Sequence, residues 1–207
     1  MRKSTVAFVV LAIAVATSLA YAGTKANVIA SKHDISLAGC ESCHAPHNGS
    51  VATGGTDQST GKILLWDRGF TSQTFGTYDS PTMDNKTTEV GTTVPAPSED
   101  RLFSFLCLSC HDGVTTPTLI AATSTKAVGN PANSFGLQND HPVNMSYDPL
   151  NDAGLDTVAN VTAAGVVLFG ASSTVQCGSC HDPHDPTNVP FLRIANTSSA
   201  LCLTCHK

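Results

Sequence analysis

The sequence predicts a mostly irregular fold with short helices and minimal β-structure. Three observations predict it. Only 13% of the 207 residues are charged, and Gly, Pro, Ser, Thr and Asn are abundant. Segments with a sustained helical or strand period are few. The eight cysteines fall into four Cys-x-x-Cys-His motifs. A chain of this composition has a thin polypeptide core, so we expect the four motifs to organise the fold.

The N-terminus has the features of a secretory signal. Two basic residues precede an apolar run over residues 6–20, and an A-x-A cleavage site ends at Ala22. We therefore predict a signal peptide over residues 1–22 and a mature, exported domain over residues 23–207. An uncleaved anchor is the alternative. Because the apolar run is shorter than the roughly 20 residues that cross a bilayer, we expect no membrane span after cleavage.

The mature chain is acidic. Removal of the signal leaves nine basic residues against 16 acidic ones. Binding to nucleic acid depends on Lys and Arg that neutralise phosphates, and this chain has few of them. We therefore expect no nucleic-acid partner.

The four Cys-x-x-Cys-His motifs are typical of c-type haem attachment. Two thiols at this spacing form thioethers with the haem vinyl groups, and the adjacent histidine binds the iron. Zinc ribbons and a disulfide framework are the alternatives, but neither requires a histidine after every second cysteine. The motif cysteines are Cys40, Cys43, Cys107, Cys110, Cys177, Cys180, Cys202 and Cys205, and the histidines that follow them are His44, His111, His181 and His206. We therefore predict a tetrahaem core of four covalently bound haem c groups, with no cysteine left for disulfides.

The four motifs form two copies of one unit, over about residues 33–111 and 141–206. Each copy contains Cys-x-x-Cys-His-x-Pro-His and, further along, Leu-Cys-x-x-Cys-His. Short helices are expected at these sites. A capping residue and acids at 98–100 precede the second site, and Thr197 or Ser198 precedes the fourth. A helical turn brings the two thiols of a motif onto one face.

Two segments between the motifs carry apolar residues. In the insertion over residues 48–98, the patch 62–70 contains Trp66. We expect this ring to pack on a porphyrin face rather than to relay electrons, because such rings mostly contribute buried area. Further along, residues 166–169 and 174–176 are predicted to form a short β-hairpin.

Four further histidines match the number of second axial ligands that four irons need. Each copy has one upstream histidine and one in the His-x-Pro-His position. The four are His33, His47, His141 and His184.

The prolines suggest which haem each histidine serves. A proline turns the chain away from the attachment helix, so the second histidine of His-x-Pro-His reaches a neighbouring haem. We predict His47 as the ligand of the second haem and His184 as that of the fourth. His33 and His141 are then left for the first and third haems. Met145 is the competing ligand, since Met/His ligation is also found in cytochromes c.

The doubled unit resembles the doubled-motif multihaem c-type cytochromes of dissimilatory metal-reducing bacteria. With four motifs, an export signal and this length, the chain is similar to the tetrahaem filament-forming members of that family. The resemblance implies a secreted, outer-surface protein with little regular secondary structure. It also implies bis-His haems in a continuous stack and polymerisation into conducting extracellular filaments.

An electron carrier or wire, not an enzyme, is the function that these residues favour. Iron with two histidines has no open position for a substrate. The partners would be other copies of the chain, other redox proteins and extracellular electron acceptors. A multihaem reductase is the rival, but it requires a vacant iron site, usually beside a basic funnel. A soluble periplasmic electron shuttle shares the same chemistry and remains open.

A head-to-tail filament suggests a second role for His33. This histidine follows an arm over residues 23–32 that has little to pack on by itself. Such an arm is able to reach a neighbouring subunit and supply a ligand in trans. The alternative is that His33 binds the first haem of its own chain.

Overall fold

The computed structural model describes residues 25–45, 65–93, 95–96, 99–121, 124, 126–128 and 136–207. The predicted signal peptide, His47 and the first part of the 62–70 patch lie outside these residues. In the portion that is described, no helix has the length and apolar character needed to cross a bilayer.

Irregular chain with short elements makes up most of the described residues. The elements are the α-helices Leu102–His111 (α1), Val158–Ala163 (α2), Cys177–Cys180 (α3) and Ala200–Cys205 (α4), the strands Met145–Ser146 (β1) and Thr174–Val175 (β2), and the 3₁₀ turns Lys25–Val28, Ile35–Leu37, Gly39–Ser42 and Thr197–Ser199. The predicted fold class, mostly coil with short helices and little strand, is confirmed for this part of the chain.

Helix α1 is the longest element, and its sequence explains both its packing and its end. Leu102, Phe105 and Leu108 recur every three residues and are fully buried, which gives the helix one apolar face. The helix ends at His111 with Asp112 as its C-cap, and Gly113 follows with φ of +70°, a conformation that glycine adopts without strain. The predicted start is shifted, because Arg101 rather than a residue at 98–100 occupies the position before the first helical turn.

The predicted β-hairpin is present only in part. Phe169 and Thr174 exchange backbone hydrogen bonds of 2.9 and 2.7 Å around Gly170, which has φ of +66°. The strand that leaves this turn, β2, pairs antiparallel with β1, and Met145 lies opposite Val175. The sequence pattern located the turn but did not locate β1 as the partner strand.

Two small apolar clusters take the place of a single core. The first surrounds α1 and consists of Phe75, Val90, Phe105, Leu108 and Leu137. The second surrounds the fourth motif and consists of Tyr147, Leu155, Val161, Val166 and Val175. Each cluster has only five buried members, as expected for a chain whose composition offers a thin polypeptide core.

The two copies are joined by a buried polar network at the contact between α1 and α3. The Ser104 hydroxyl donates to the Gln176 side-chain oxygen at 2.7 Å and accepts from the Cys177 amide at 3.0 Å. The Gln176 side-chain nitrogen donates to the side-chain oxygen of Asn144 at 3.1 Å. Beside this network the rings of Phe103 and Phe169 stack with centres 4.1 Å apart. Every polar group of Gln176 that is withdrawn from water therefore has a partner.

Gln176→Ala is expected to lower the free energy of unfolding by about 2–3 kcal/mol, since it removes these bonds and leaves the buried Ser104 hydroxyl without its acceptor. Urea unfolding of the haem-loaded protein measures this loss. The exposed Gln138 provides the matched control, and Gln138→Ala is expected to change the free energy of unfolding by less than about 0.5 kcal/mol. Equal effects of the two substitutions would contradict the role assigned to the network.

Candidate haem-binding sites

The motif cysteines lie on short helical turns, as the sequence predicts. The first pair is on and beside the 3₁₀ turn Gly39–Ser42, and the other pairs are on α1, α3 and α4. None of the eight cysteines is in a disulfide. A helical turn at each site presents the two sulfurs of a motif on the same side, which attachment to one porphyrin edge requires.

A short backbone bridge holds the attachment histidine at three of the four sites. His44, His181 and His206 each pair antiparallel with one residue from elsewhere in the chain. At the fourth motif, for example, the Asp156 amide donates to the Cys205 carbonyl at 2.8 Å, and the Lys207 amide donates to Gly154 at 2.8 Å. His111 is held differently, because it ends α1 and its carbonyl accepts from the Val128 amide at 2.6 Å. Backbone hydrogen bonds therefore fix the main chain at all four attachment histidines.

Hydrogen bonds also fix the ring orientation of four histidines. The Nδ1 atoms of His111, His141 and His181 lie 2.8, 3.0 and 2.9 Å from backbone carbonyl oxygens. The Nδ1 of His184 lies 3.1 Å from the carboxylate of Asp182. An imidazole whose Nδ1–H is donated in this way presents an unprotonated Nε2, which is the form that binds a metal.

Three pairs of imidazoles face each other in the described residues. The ring centres of His33 and His111 are 6.4 Å apart, and those of His141 and His206 are also 6.4 Å apart, both pairs with planes inclined at 64°. The rings of His44 and His184 are 6.3 Å apart and nearly parallel, at 16°. Each pair combines one attachment histidine with one of the four further histidines.

This separation fits an iron between the two rings. A metal–imidazole bond is about 2.0 Å long and the ring centre lies about 1.1 Å beyond the nitrogen, so two trans ligands have ring centres roughly 6.3 Å apart. Direct packing of aromatic rings also gives centre separations of about 4.5–7 Å, so the feature that favours iron is that all three pairs combine a motif histidine with a further histidine at this one separation. The residues present therefore fit bis-His haem at three sites.

The observed pairs differ from the pairing that the sequence predicts. His184 faces His44 of the first site rather than the fourth, His33 faces His111 of the second site, and His141 faces His206 of the fourth. The prediction followed position along the chain, whereas the His44–His184 pair joins the two copies and the other two pairs join the two ends of one copy. His47, predicted for the second site, lies outside the described residues.

The competing ligand and the tryptophan have other neighbours. Met145 packs against the second apolar cluster and pairs with Val175 in the sheet, while His141 is the residue that faces His206. Trp66 lies edge-on to His44, with ring centres 5.9 Å apart. Its position beside the first attachment histidine agrees with a packing role at that site. Phe70, from the same patch, contacts Phe105 in the first apolar cluster.

Burial favours the neutral form of the two upstream histidines. Desolvation, together with nearby imidazoles, lowers the pKa of His33, and desolvation also lowers the pKa of His141. Neutral imidazole is the form that ligates a metal. His33 Nδ1 is buried without a hydrogen-bond partner, and the ring packs at 4.3 Å from Phe191. The residues around His33, including the His111 imidazole, therefore belong to the same chain as His33.

Thiols of successive motifs influence one another's pKa. A hydrogen bond to Cys177 raises the pKa of the Cys107 thiol, so the second and third motifs are in contact. Burial raises the pKa of Cys43, and Cys110 of the second motif raises it further. Likewise burial raises the pKa of Cys180 to about 11, with a further contribution from Cys205 of the fourth motif. The second and third motifs are thus in contact, and the thiols of the first and second and of the third and fourth are near enough to influence each other's pKa.

Residues 171–207 match a family model described as the doubled CXXCH motif. This segment contains the third and fourth motifs. The match supports similarity of the chain to the multihaem c-type cytochromes, and the CXXCH motifs imply covalently bound haem c. Both findings point to electron transfer. No curated protein matches the chain.

Proposed function

We propose that the chain is a tetrahaem c-type cytochrome that transfers electrons through four bis-His haems. The observation that carries the proposal is the set of three imidazole pairs, each with ring centres 6.3–6.4 Å apart and each including a motif histidine. When bound, haem c supplies a reversible one-electron couple at iron. The chain's own residues provide the thioether anchors, the axial nitrogens and the buried surroundings that set the potential.

The residues proposed for each site follow from these pairs. Cys40 and Cys43 would anchor the first haem, with His44 and His184 to bind its iron. Cys107 and Cys110 would anchor the second, with His111 and His33, and Cys202 and Cys205 would anchor the fourth, with His206 and His141. Cys177, Cys180 and His181 would hold the third haem, and His47 is the histidine that remains as its second ligand.

Electron transfer without enzymatic turnover is proposed because the histidines suffice to fill every axial position. The eight histidines of the sequence provide two for each of four motifs. A reductase needs an iron position open to its substrate. The hydrogen bond between the Cys107 and Cys177 thiols, together with the electrostatic influence of Cys110 on Cys43 and of Cys205 on Cys180, supports a path in the order first to fourth.

Mass spectrometry and electron paramagnetic resonance test this proposal. The mature chain is expected to carry four covalent haem additions. The ferric protein is expected to be low-spin throughout. Fewer than four additions would contradict the tetrahaem assignment, and a substantial high-spin signal from the intact assembled protein would favour the reductase.

We also propose export to the outer surface and head-to-tail assembly of copies into a conducting filament. Support comes from exposure at the two ends of the row of motifs. Cys40 and Cys202, one in the first motif and one in the fourth, are exposed, and Leu37 and Leu203 beside them are 86% and 65% exposed. Apolar surface at both ends favours contact with a partner, and a contact that does not close on itself gives an open filament. Redox proteins and extracellular acceptors are the proposed electron partners.

Leu203→Glu is expected to prevent assembly, because it places a charge in the proposed end contact, and to leave the low-spin spectrum unchanged. Electron microscopy and sedimentation of the secreted protein measure the assembly. Leu119→Glu, at another exposed leucine, is the matched control and is expected to leave filaments intact. A monomeric wild-type protein, or filaments that persist in Leu203→Glu, would favour the soluble periplasmic shuttle or a different contact.

A further inference from the structure

Asp182 holds the ring of His184 with a negatively charged acceptor. Its carboxylate oxygen accepts from the His184 backbone amide at 3.0 Å and lies 3.1 Å from the His184 Nδ1. At His111, His141 and His181 the oxygen that faces Nδ1 belongs to a neutral backbone carbonyl instead. Of these four imidazoles, His184 is therefore the one that faces a charged acceptor.

Arg193 balances part of this charge and fixes the carboxylate in place. Its Nη1 lies 3.3 Å from the other carboxylate oxygen of Asp182. Its Nε donates to the Gly178 carbonyl at 2.7 Å, and its backbone amide donates to the Cys180 carbonyl at 2.8 Å. Asp182 and Arg193 are 29% and 22% exposed in their side chains, so the group is only partly screened by water. The carboxylate is thus tied to the backbone of the third attachment site while it contacts a ligand of the first.

The sequence shows that this carboxylate belongs to one copy of the repeat. The second copy contains Cys-His-Asp-Pro-His with Asp182, whereas the first contains Cys-His-Ala-Pro-His with Ala45 at the equivalent position. Attachment chemistry requires neither residue there. The difference between the copies therefore concerns the surroundings of the imidazole rather than the attachment of haem.

We infer that Asp182 is a positioning residue that acts through His184 to lower the reduction potential of the haem held by His44 and His184. The inference rests on the proposed function. A carboxylate that accepts the Nδ1–H makes the opposite nitrogen a stronger electron donor, which stabilises ferric more than ferrous iron. Reduction adds one electron to the iron and leaves this hydrogen bond in place. Because Asp182 in one copy corresponds to Ala45 in the other, the reduction potentials of the haems held by the two copies are unequal.

Asp182→Asn tests the inference, because an asparagine side chain keeps the shape and an acceptor oxygen but removes the charge. The first haem is expected to become easier to reduce by about tenfold in its equilibrium constant, the lower end of the effect of such outer ligand contacts. That factor corresponds to about 59 mV for a one-electron couple. The measurement is a redox titration of the haem-loaded protein followed by electron paramagnetic resonance.

The geometry of the imidazole pairs predicts which electron paramagnetic resonance signal changes in Asp182→Asn. The relative orientation of two axial imidazole planes sets the splitting of the iron d orbitals. Nearly parallel rings give a rhombic low-spin signal and strongly inclined rings give a more anisotropic one. His44 and His184 are inclined by 16°, against 64° for the two other pairs. In Asp182→Asn a rhombic signal is expected to titrate at higher potential and to change its g-values, since its ligand has become a weaker donor.

Asp185→Asn is the matched control. Asp185 lies in the same loop, and its carboxylate accepts from the Thr187 amide and hydroxyl rather than from an imidazole. This variant removes the same charge and is expected to leave every couple within a factor of about two, or about 18 mV. Equal shifts in the two variants, the absence of any shifted rhombic signal or a high-spin signal in Asp182→Asn would overturn the inference. A wild-type protein without low-spin haem would instead overturn the proposed function.

Discussion

His184→Ala is expected to turn one haem in four high-spin, and that haem is the first, although His184 lies in the second copy of the repeat. The residue that loses its partner is His44, whose ring centre is 6.3 Å from that of His184. A six-coordinate iron that loses one imidazole becomes five-coordinate or binds water, and both forms are high-spin. Electron paramagnetic resonance of the ferric protein measures the high-spin fraction and the loss of a rhombic low-spin signal.

His141→Ala provides the matched control for this prediction. It removes a further histidine of the same copy, which faces His206 rather than His44. This variant is expected to give the same high-spin fraction but to lose one of the more anisotropic signals. Loss of an anisotropic signal in His184→Ala would contradict the pairing of His184 with His44 that is proposed from the structure.

The pairing has a consequence for stability. Because His44 belongs to the first copy and His184 to the second, a haem bound between them links the copies, as the contact between α1 and α3 does through Ser104 and Gln176. A shared ligand makes haem binding and association of the copies favour each other. The two copies of the sequence repeat are therefore not two independent folding units in the proposed haem-loaded state.

The sequence predicts the local features of this protein well. The four motifs predict short helical turns, and the structure has them at every site. Gly113 marks the end of α1 because it adopts φ of +70°, and the count of histidines predicts one further imidazole for each motif. These features depend on residues close together in the chain, where turn chemistry and helix propensity decide the conformation.

The sequence does not predict which distant residues meet. His33 is seven residues from Cys40 yet faces His111, and β2 pairs with β1 rather than only with the other arm of its hairpin. Both contacts join residues that are distant in the sequence, and no local pattern encodes them. The motif pattern alone does not identify Asp182 as a neighbour of an iron ligand either. The signal for it was the difference between Cys-His-Asp-Pro-His and Cys-His-Ala-Pro-His in otherwise equivalent motifs.

The position of His33 also changes the proposal for assembly. The arm before this residue suggested a ligand donated to a neighbouring subunit. Since His33 faces His111 of its own chain at the separation expected of two axial ligands, we do not propose His33 as a ligand in trans. The proposed end contact then depends on exposed apolar surface, including Leu37 and Leu203, rather than on shared ligation. Accordingly, His33→Ala is expected to make the second haem high-spin without abolishing filaments.

Without haem attachment the mature chain is expected to be largely unfolded. The two apolar clusters have five buried members each, and the helices other than α1 have four to six residues. Helices that short are unstable unless tertiary contacts hold them. In the proposed structure those contacts come largely from porphyrin, whose burial stabilises in proportion to its apolar area. The ordering of the backbone opposes folding at every residue, and here little polypeptide core offsets it.

Expression of the mature chain with and without the haem-attachment machinery tests this expectation. The haem-free chain is expected to lose most of its far-ultraviolet circular dichroism and to give a proton spectrum with little dispersion, whereas the loaded chain unfolds cooperatively. The control variant is Gln176→Ala in the loaded state, which weakens the contact between copies but leaves the haems in place. A haem-free chain with a dispersed spectrum and a cooperative unfolding transition would show that the two apolar clusters suffice. The haems would then bind to a fold that forms without them, rather than serve as the core of that fold.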